Sequence, residues 1–515
     1  MARTYLLSAL FCLLALAGWA GALRWAPLNV DAGLYLSLSR EAAGGEVLYR
    51  DLACDYPPAF IELLALAGQR TLRDPLRVKA IVYALHVASA LLIYRFLRNR
   101  GHERELAVLA AAMFAVWVFA CDGTAVVLEG GVNLALLIGL AAVAIPSRLA
   151  PSALAGLACG IALMMKQYAI VGVPAIAILA LLRDGRASAN MQSVAAPSIS
   201  NTDPEMPESG ATEESRTTGR RQPSWAMPLL CFLIAITLPA VVYPLLRGFG
   251  MSGIAELILH WSTFGDRLDS YEQAGLRGMF VALTEGGPAT ALLPFLVLGA
   301  ALIIFGDWRQ IVLGGTLFLS ALPLAVRDYP HYVQLAVPWA VLVAAELSAL
   351  LARRLGQPSR AALLLTLMAL PLVPLLPAAG GVLYRQARDD ELVAQQLLAR
   401  KAAEQLPTRD DVLVINAAWL YPLADLRAPA GDYRFLHQLP GTAEADPDTS
   451  PRELRLREIA LSAGGVEGRI PVDEAVAWLV AGGLRVISDG AHAGVRIVLL
   501  ERPGAVELTA GARRD

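Results

Sequence analysis

Four places in this chain put an ionisable side chain into or beside apolar sequence. Asp31 lies in Asn29-Val-Asp-Ala-Gly-Leu-Tyr35, a few residues past the first apolar run. Glu129 stands in Val127-Leu-Glu-Gly130 and Lys166 in Met164-Met-Lys-Gln-Tyr168, each within nearly continuous apolar sequence. Arg327-Asp-Tyr-Pro-His331-Tyr332 opens a late apolar run, with Gln334 and Pro338 just beyond. A carboxylate at a water boundary can take the proton of a hydroxyl. A lysine at headgroup depth is a point-charge partner for a phosphate. An arginine and a histidine at a helix start can stabilise a phosphate leaving group. The combination suits displacement at a centre that carries a phosphate.

Each residue also has a plainer reading. Asp31 precedes the helical-looking stretch 32–43 and could be its N-cap. Lys166 could be a snorkelling helix-end lysine. Arg327 to Tyr332 could be a capped helix start, with Pro330 in the first turn and Tyr332 at the interface. Glu129 and Lys166 fit the plain reading least well, because a charge inside apolar membrane sequence costs a few kcal/mol.

The rest of the chain must hold these groups in place. Of its 515 residues 56% are hydrophobic and only 17% charged, so most of the chain must face lipid or other apolar helices. The mean hydropathy of +0.52 agrees. A formal net charge of -2 and the lack of a basic stripe give no nucleic-acid footprint. The five cysteines form no CxxC pair and no zinc spacing with histidine, so no metal site is expected. Cys54 and Cys121 read as free thiols at helix ends. The run from Tyr5 to Leu23 is long for a signal peptide, and Trp19 and Trp25 replace the small residues of a cleavage site; it reads as an uncleaved membrane helix.

Apolar runs of transmembrane length begin near Tyr5, Val78, Leu106, Ala125, Ser152, Ala169, Ala226, Thr290, Ile311, His331 and Ala361. The fold class expected is therefore mainly α: a polytopic membrane protein of about eleven or twelve transmembrane helices with a small C-terminal extracytoplasmic α/β domain. The clusters Arg95 to Arg104, Arg148, Arg183 to Arg186, Arg220-Arg221, Arg309 and Arg353 to Arg360 fall on alternate connections and are assigned to the cytoplasm. The N-terminus is then cytoplasmic, and Asp31, Glu129, Lys166, His331 and Tyr332 share the outer side.

Residues 1–385 form the membrane domain, with a first external loop over 24–77. The stretch from Pro57 to Leu72 is too short to span and reads as an interfacial or re-entrant helix, leaving Lys79 as a tolerated outer-side charge. Residues 187–223, rich in Ser, Thr, Glu, Pro and Gly, read as a disordered cytoplasmic linker. Residues 386–515 form the α/β domain. Its strands are expected at Val412 to Ile415, Arg485 to Ile487 and Val495 to Leu500, and a helix at Val472 to Leu479.

The external-loop pattern around Asp31 resembles that of the GT-C superfamily of membrane glycosyltransferases, the protein O-mannosyltransferase and aminoarabinose transferase-like enzymes that use lipid-linked sugars. Gly156-Leu-Ala-Cys-Gly160 followed by Lys166, and the His331-Tyr332 pair, resemble further segments of these enzymes. The resemblance implies a polyprenyl-phosphate-linked sugar as donor and a lipid, glycan or protein acceptor. It implies Asp31 as base, Glu129 as the second acidic residue, and Lys166, Arg327, His331 and Tyr332 as donor-phosphate ligands. Many members carry two adjacent acidic residues where this chain has Asp31-Ala32, so no metal bridged by such a pair, and no other cofactor, is expected.

Location in the plasma (inner) membrane follows from the same resemblance. A transporter or lipid flippase is the alternative, but no internal repeat is visible and the polar groups cluster at one surface. A non-catalytic scaffold displaying the C-terminal domain leaves the Asp31 loop and Lys166 without a purpose.

Overall fold

The computed structural model describes residues 2–52, 54, 56–121, 125–145, 149–181, 226–250, 275–284, 288–326, 330–357, 360–389, 391–405, 412–415, 419–427, 458–462, 480, 485–492 and 495–501. The expected linker, 187–223, and the expected helix over 472–479 lie outside these residues.

Helices stand at all the places where an apolar run begins. They are α1 (Ala2–Trp25), α2 (Val30–Ala43), α3 (Ala59–Ala65), α4 (Gln69–Leu72), α5 (Pro75–Asn99), α6 (Arg104–Ala120), α7 (Glu129–Ala142) and α8 (Ala150–Met165). After Lys166 comes α9 (Gln167–Leu181), which opens as a 3-10 turn. The series continues with α10 (Ala226–Leu246), α11 (Gly275–Thr284), α12 (Leu292–Phe305), α13 (Trp308–Ala321), α14 (Pro323–Val326), α15 (Pro330–Val333) and α16 (Val337–Arg354). It ends with α17 (Ala361–Met368), α18 (Leu375–Arg388), α19 (Glu391–Gln405) and α20 (Leu420–Ala424).

Among the described residues, α5 and α10 are by length and composition long and apolar enough to cross a membrane; the pair 361–372 and 375–388, bent by 52°, makes a third if it is one span. Several others are shorter because breaks interrupt the runs. At 1.5 Å per residue the 14 residues of α7 reach about 21 Å, against roughly 30 Å of hydrocarbon.

Local chemistry sets several of these ends. The carboxylate of Asp74 caps α5 by accepting from Leu76 N at 3.0 Å, with Pro75 in the first turn. Asp307 and Gln310 form a capping box at the start of α13. Lys79, only 1% exposed, donates to the carbonyls of Ala22 and Ala26 and so caps the C-terminal end of α1. This lysine, read from sequence as a tolerated charge, is a structural cap. Gly156 and Gly160 let α8 lie against α10: a Cβ at either would collide with the backbone carbonyl of Phe232 or Ile236.

Glu129 opens α7 at one end of the bundle. At the other end a cleft of about 380 Å³ is lined by Arg100 after α5, Val143 and Ala144 after α7, Leu179 of α9 and Arg309 of α13. Two of the arginines assigned to one membrane side from sequence, Arg100 and Arg309, thus lie away from Glu129.

Four strands form a sheet in the C-terminal part: β1 (Val412–Ile415), β2 (Glu458–Ser462), β3 (Arg485–His492) and β4 (Val495–Glu501), in the order β1-β2-β4-β3. β1 and β2 are parallel and the other two pairings antiparallel. β2 was not anticipated from sequence. The C-terminal segment packs on the α2 side of the bundle, where the Gln395 side chain hydrogen-bonds the Leu28 backbone and Arg427 pairs with Glu46 at 2.7 Å.

Candidate active site

The first turn of α7 holds the site together. Its N-terminal end favours a carboxylate, and Glu129 there is fully buried. Gly130 and Gly131 allow this turn to press against α5 and α8. A Cβ on Gly130 would lie 2.9 Å from the His86 ring, and one on Gly131 2.7 Å from Met165 Sδ.

Lys166 approaches from α8. The helix stops at Met165, and Lys166 takes an extended conformation, φ -160° and ψ 133°, before the chain turns into α9. Its ammonium donates to Glu129 Oε1. Glu129 Oε1 also has His331 Nε2 4.0 Å away. Glu129 Oε2 is buried with no hydrogen-bond partner among the described residues. The Lys166 ammonium stands 4.3 Å from the centroid of the Tyr332 ring and 5.8 Å from that of Tyr168. The two phenol rings meet edge to face at 5.3 Å, and His331 stacks edge-on against Tyr332 at 4.7 Å. A carboxylate, an ammonium, an imidazole and two phenols therefore converge from three parts of the chain.

Asp31 belongs to the first turn of α2. The N-cap is Asn29, whose side chain accepts from Ala32 N at 2.7 Å. The Asp31 carboxylate is not spent on capping, and among the described residues it has no hydrogen bond or ion pair. One turn on, Tyr35 lies on the same face. Burial holds its hydroxyl well above the usual phenol range, and the charges of Tyr56, Asp31, Glu129 and Tyr332 add to the effect. The Tyr35 ring packs edge-on against Tyr56 at 5.1 Å and Phe60 at 5.9 Å, which fixes the face that α2 turns to the cluster.

Of the sequence-predicted residues, Glu129, Lys166, His331 and Tyr332 are brought together; Asp31 stands on α2, whose Tyr35 packs on Phe60, the ring that lies beside Gly131 of α7. Arg327 lies outside the described residues. Sequence reasoning assigned no role to Tyr35 or Tyr168. The signal for Tyr35 was its i, i+4 spacing from Asp31; for Tyr168 it was an aromatic two residues after a helix-breaking lysine. Among the described residues no three His, Cys, Asp or Glu side chains gather in a way that would hold a metal.

No protein-family model and no curated protein matches the chain. Solved structures do match in fold. ArnT from Cupriavidus metallidurans bound to undecaprenyl phosphate superposes with a TM-score of 0.53 at 13% identity, over 96% of this chain and 98% of that one. The same protein in the apo state gives 0.51 at 13% identity, over 97% and 98%. The chain has the ArnT fold along nearly its whole length, and the sequence resemblance to the aminoarabinose transferase-like enzymes is matched at the level of fold.

Proposed function

We propose that this protein is a membrane glycosyltransferase that moves a sugar from a polyprenyl-phosphate donor to a hydroxyl on a lipid, glycan or protein acceptor, at the outer face of the membrane. The observation that carries the reading is the meeting of Lys166, Glu129, His331 and Tyr332 beside the Asp31 face of α2. It is supported by a fold shared with a protein that binds undecaprenyl phosphate.

In this reading Asp31 accepts the proton of the acceptor hydroxyl. The hydroxyl oxygen forms a bond to the anomeric carbon while the bond from that carbon to the phosphate oxygen breaks. Attack from the side opposite the phosphate inverts the anomeric centre. The polyprenyl phosphate leaves with added negative charge. Lys166 has three N–H donors and gives one to Glu129, so others remain for the phosphate. Glu129 serves to aim the ammonium, Tyr332 supports it from below, and His331 and Arg327 supply further donors to the phosphate.

Asp31→Asn tests the base. Because Asn29 caps α2, the variant should fold and bind donor lipid as the wild type does. Its turnover should fall by about a hundred-fold or more, the range for a positioned proton transfer. Near-normal transfer by Asp31→Asn would remove Asp31 from the role.

A further inference from the structure

The C-terminal segment grips α2 at both ends. Before the helix, the Gln395 side chain of α19 makes a two-point contact with Leu28: Leu28 N donates to Oε1 at 2.8 Å, and Nε2 donates to Leu28 O at 2.9 Å. Leu28 is 2% exposed and directly precedes the Asn29 cap, three residues from Asp31. At the far end, Arg40 is 4% exposed and reaches into the 419–427 segment. Its Nη1 donates to Tyr421 O at 3.0 Å and its Nη2 to Leu426 O at 2.5 Å. Asp425, at φ 59°, takes the left-handed turn between these two carbonyls and receives Arg40 Nη1 at 3.4 Å. Glu41 completes the guanidinium's partners at 2.9 Å.

Nothing in the chemistry of transfer requires these contacts, since no partner of Gln395 or Arg40 belongs to the cluster around Lys166. They do fix both the axis and the rotation of the helix that carries Asp31. A base displaced by about 1 Å can lose about a hundred-fold in rate.

We propose that Gln395 and the 419–427 segment act as a clamp that positions the Asp31 carboxylate. The C-terminal unit then governs turnover without touching the sugar. Gln395 and Arg40 are positioning residues. This rests on the reading of Asp31 as the base.

The test uses the full-length protein in nanodiscs with a polyprenyl-phosphate sugar donor. Gln395→Leu keeps the volume and removes both hydrogen bonds to Leu28; Gln395→Glu keeps the acceptor for Leu28 N and loses the donor. We expect Gln395→Leu to lower the kcat of the folded fraction by about ten-fold or more, with donor affinity within about two-fold of wild type; the two lost hydrogen bonds also lower the thermal midpoint, so kcat is compared at equal folded concentration. Gln395→Glu should fall between the two. A merely structural contact would lower the midpoint and leave the kcat of the folded fraction intact, and that result overturns the clamp. So does a loss of donor affinity at unchanged kcat. Asp31→Asn measured alongside separates the failures. If it is inactive while Gln395→Leu is fully active, the clamp fails and the base stands; if it is active, the base assignment and the clamp fall together.

Discussion

Two carboxylates are wholly buried at opposite ends of the bundle, and they are treated differently. Glu346 receives Arg100 Nε at 2.7 Å and His102 Nε2 at 3.1 Å on one oxygen, and Gln310 Nε2 at 3.1 Å on the other. Its partners come from the end of α5, the connection before α6, and α13, so one side chain ties three elements to α16. Glu129 pairs with Lys166 through Oε1 alone and keeps Oε2 without a protein partner among the described residues. A buried network with every atom satisfied rigidifies a fold. A buried polar atom left over is the exception that calls for an explanation. The first end has its buried carboxylate fully satisfied, and the second leaves one carboxylate oxygen over.

The largest effect that would break this contrast is at Glu346. Glu346→Leu strands the guanidinium of Arg100 and the amide of Gln310, and removing one partner of a buried ion pair costs about 3–5 kcal/mol. Arg100 keeps some contact with water, its side chain being 19% exposed, so the low end of that range applies. Thermal unfolding in detergent should show this loss, with donor affinity of the folded fraction unchanged. A variant of ordinary stability that no longer binds donor would erase the distinction between the two ends.

The next test sharpens the contrast from the other side. Lys166→Ala alone leaves Glu129 buried without its partner, so it lowers stability as well as donor binding. Glu129→Gln together with Lys166→Met removes both charges at once. Replacing a whole buried pair by neutral groups is often close to neutral for stability. The double variant should therefore unfold near the wild-type temperature. It should bind polyprenyl phosphate about ten-fold or more weaker, since a hydrogen bond to a charged group contributes about 1.5–3 kcal/mol. Unchanged donor affinity in a stable double variant would return Lys166 and Glu129 to a structural role like that of Glu346.

The charges of the site were legible because apolar sequence on both sides made Glu129 and Lys166 stand out. Their pairing was not, since residues 37 apart carry no local mark of contact. The two were assigned separate tasks from sequence, one acidic and one phosphate-binding, and the structure joins them. Glu346, in Ala344-Ala-Glu-Leu-Ser348, is embedded in apolar residues as deeply as Glu129 yet was passed over, while Arg95 to Arg104 were read only as topology signals. Asp31 was read from sequence as a possible N-cap of α2; the hydrogen bond from Ala32 N to the Asn29 side chain shows that Asn29 fills that place instead. The glycines at 156 and 160, read as part of a lysine-ending motif, are accounted for by contact with α10. The positions of the helices and the break at Lys166 were visible from hydropathy, but other ends were not, because caps such as Lys79 on the end of α1 come from residues distant in sequence.

The smallest effect probes the aromatic support that distinguishes the Lys166 end. The ammonium lies 4.3 Å from the Tyr332 centroid. A desolvated cation over a ring gains about 2 kcal/mol and an exposed one about 0.5–1 kcal/mol. The Lys166 side chain is 12% exposed, which puts the contact between these limits, at about 1 kcal/mol. Tyr332→Phe keeps the ring face and should bind donor as the wild type does. Tyr332→Leu keeps an apolar side chain but loses the quadrupole, and should weaken donor binding about five-fold. If Phe and Leu weaken binding equally, the hydroxyl is what matters and Tyr332 acts as a hydrogen-bond donor to the phosphate. If neither has an effect, Glu129 alone holds the ammonium, and the lysine end is organised by charge pairing just as the Glu346 end is.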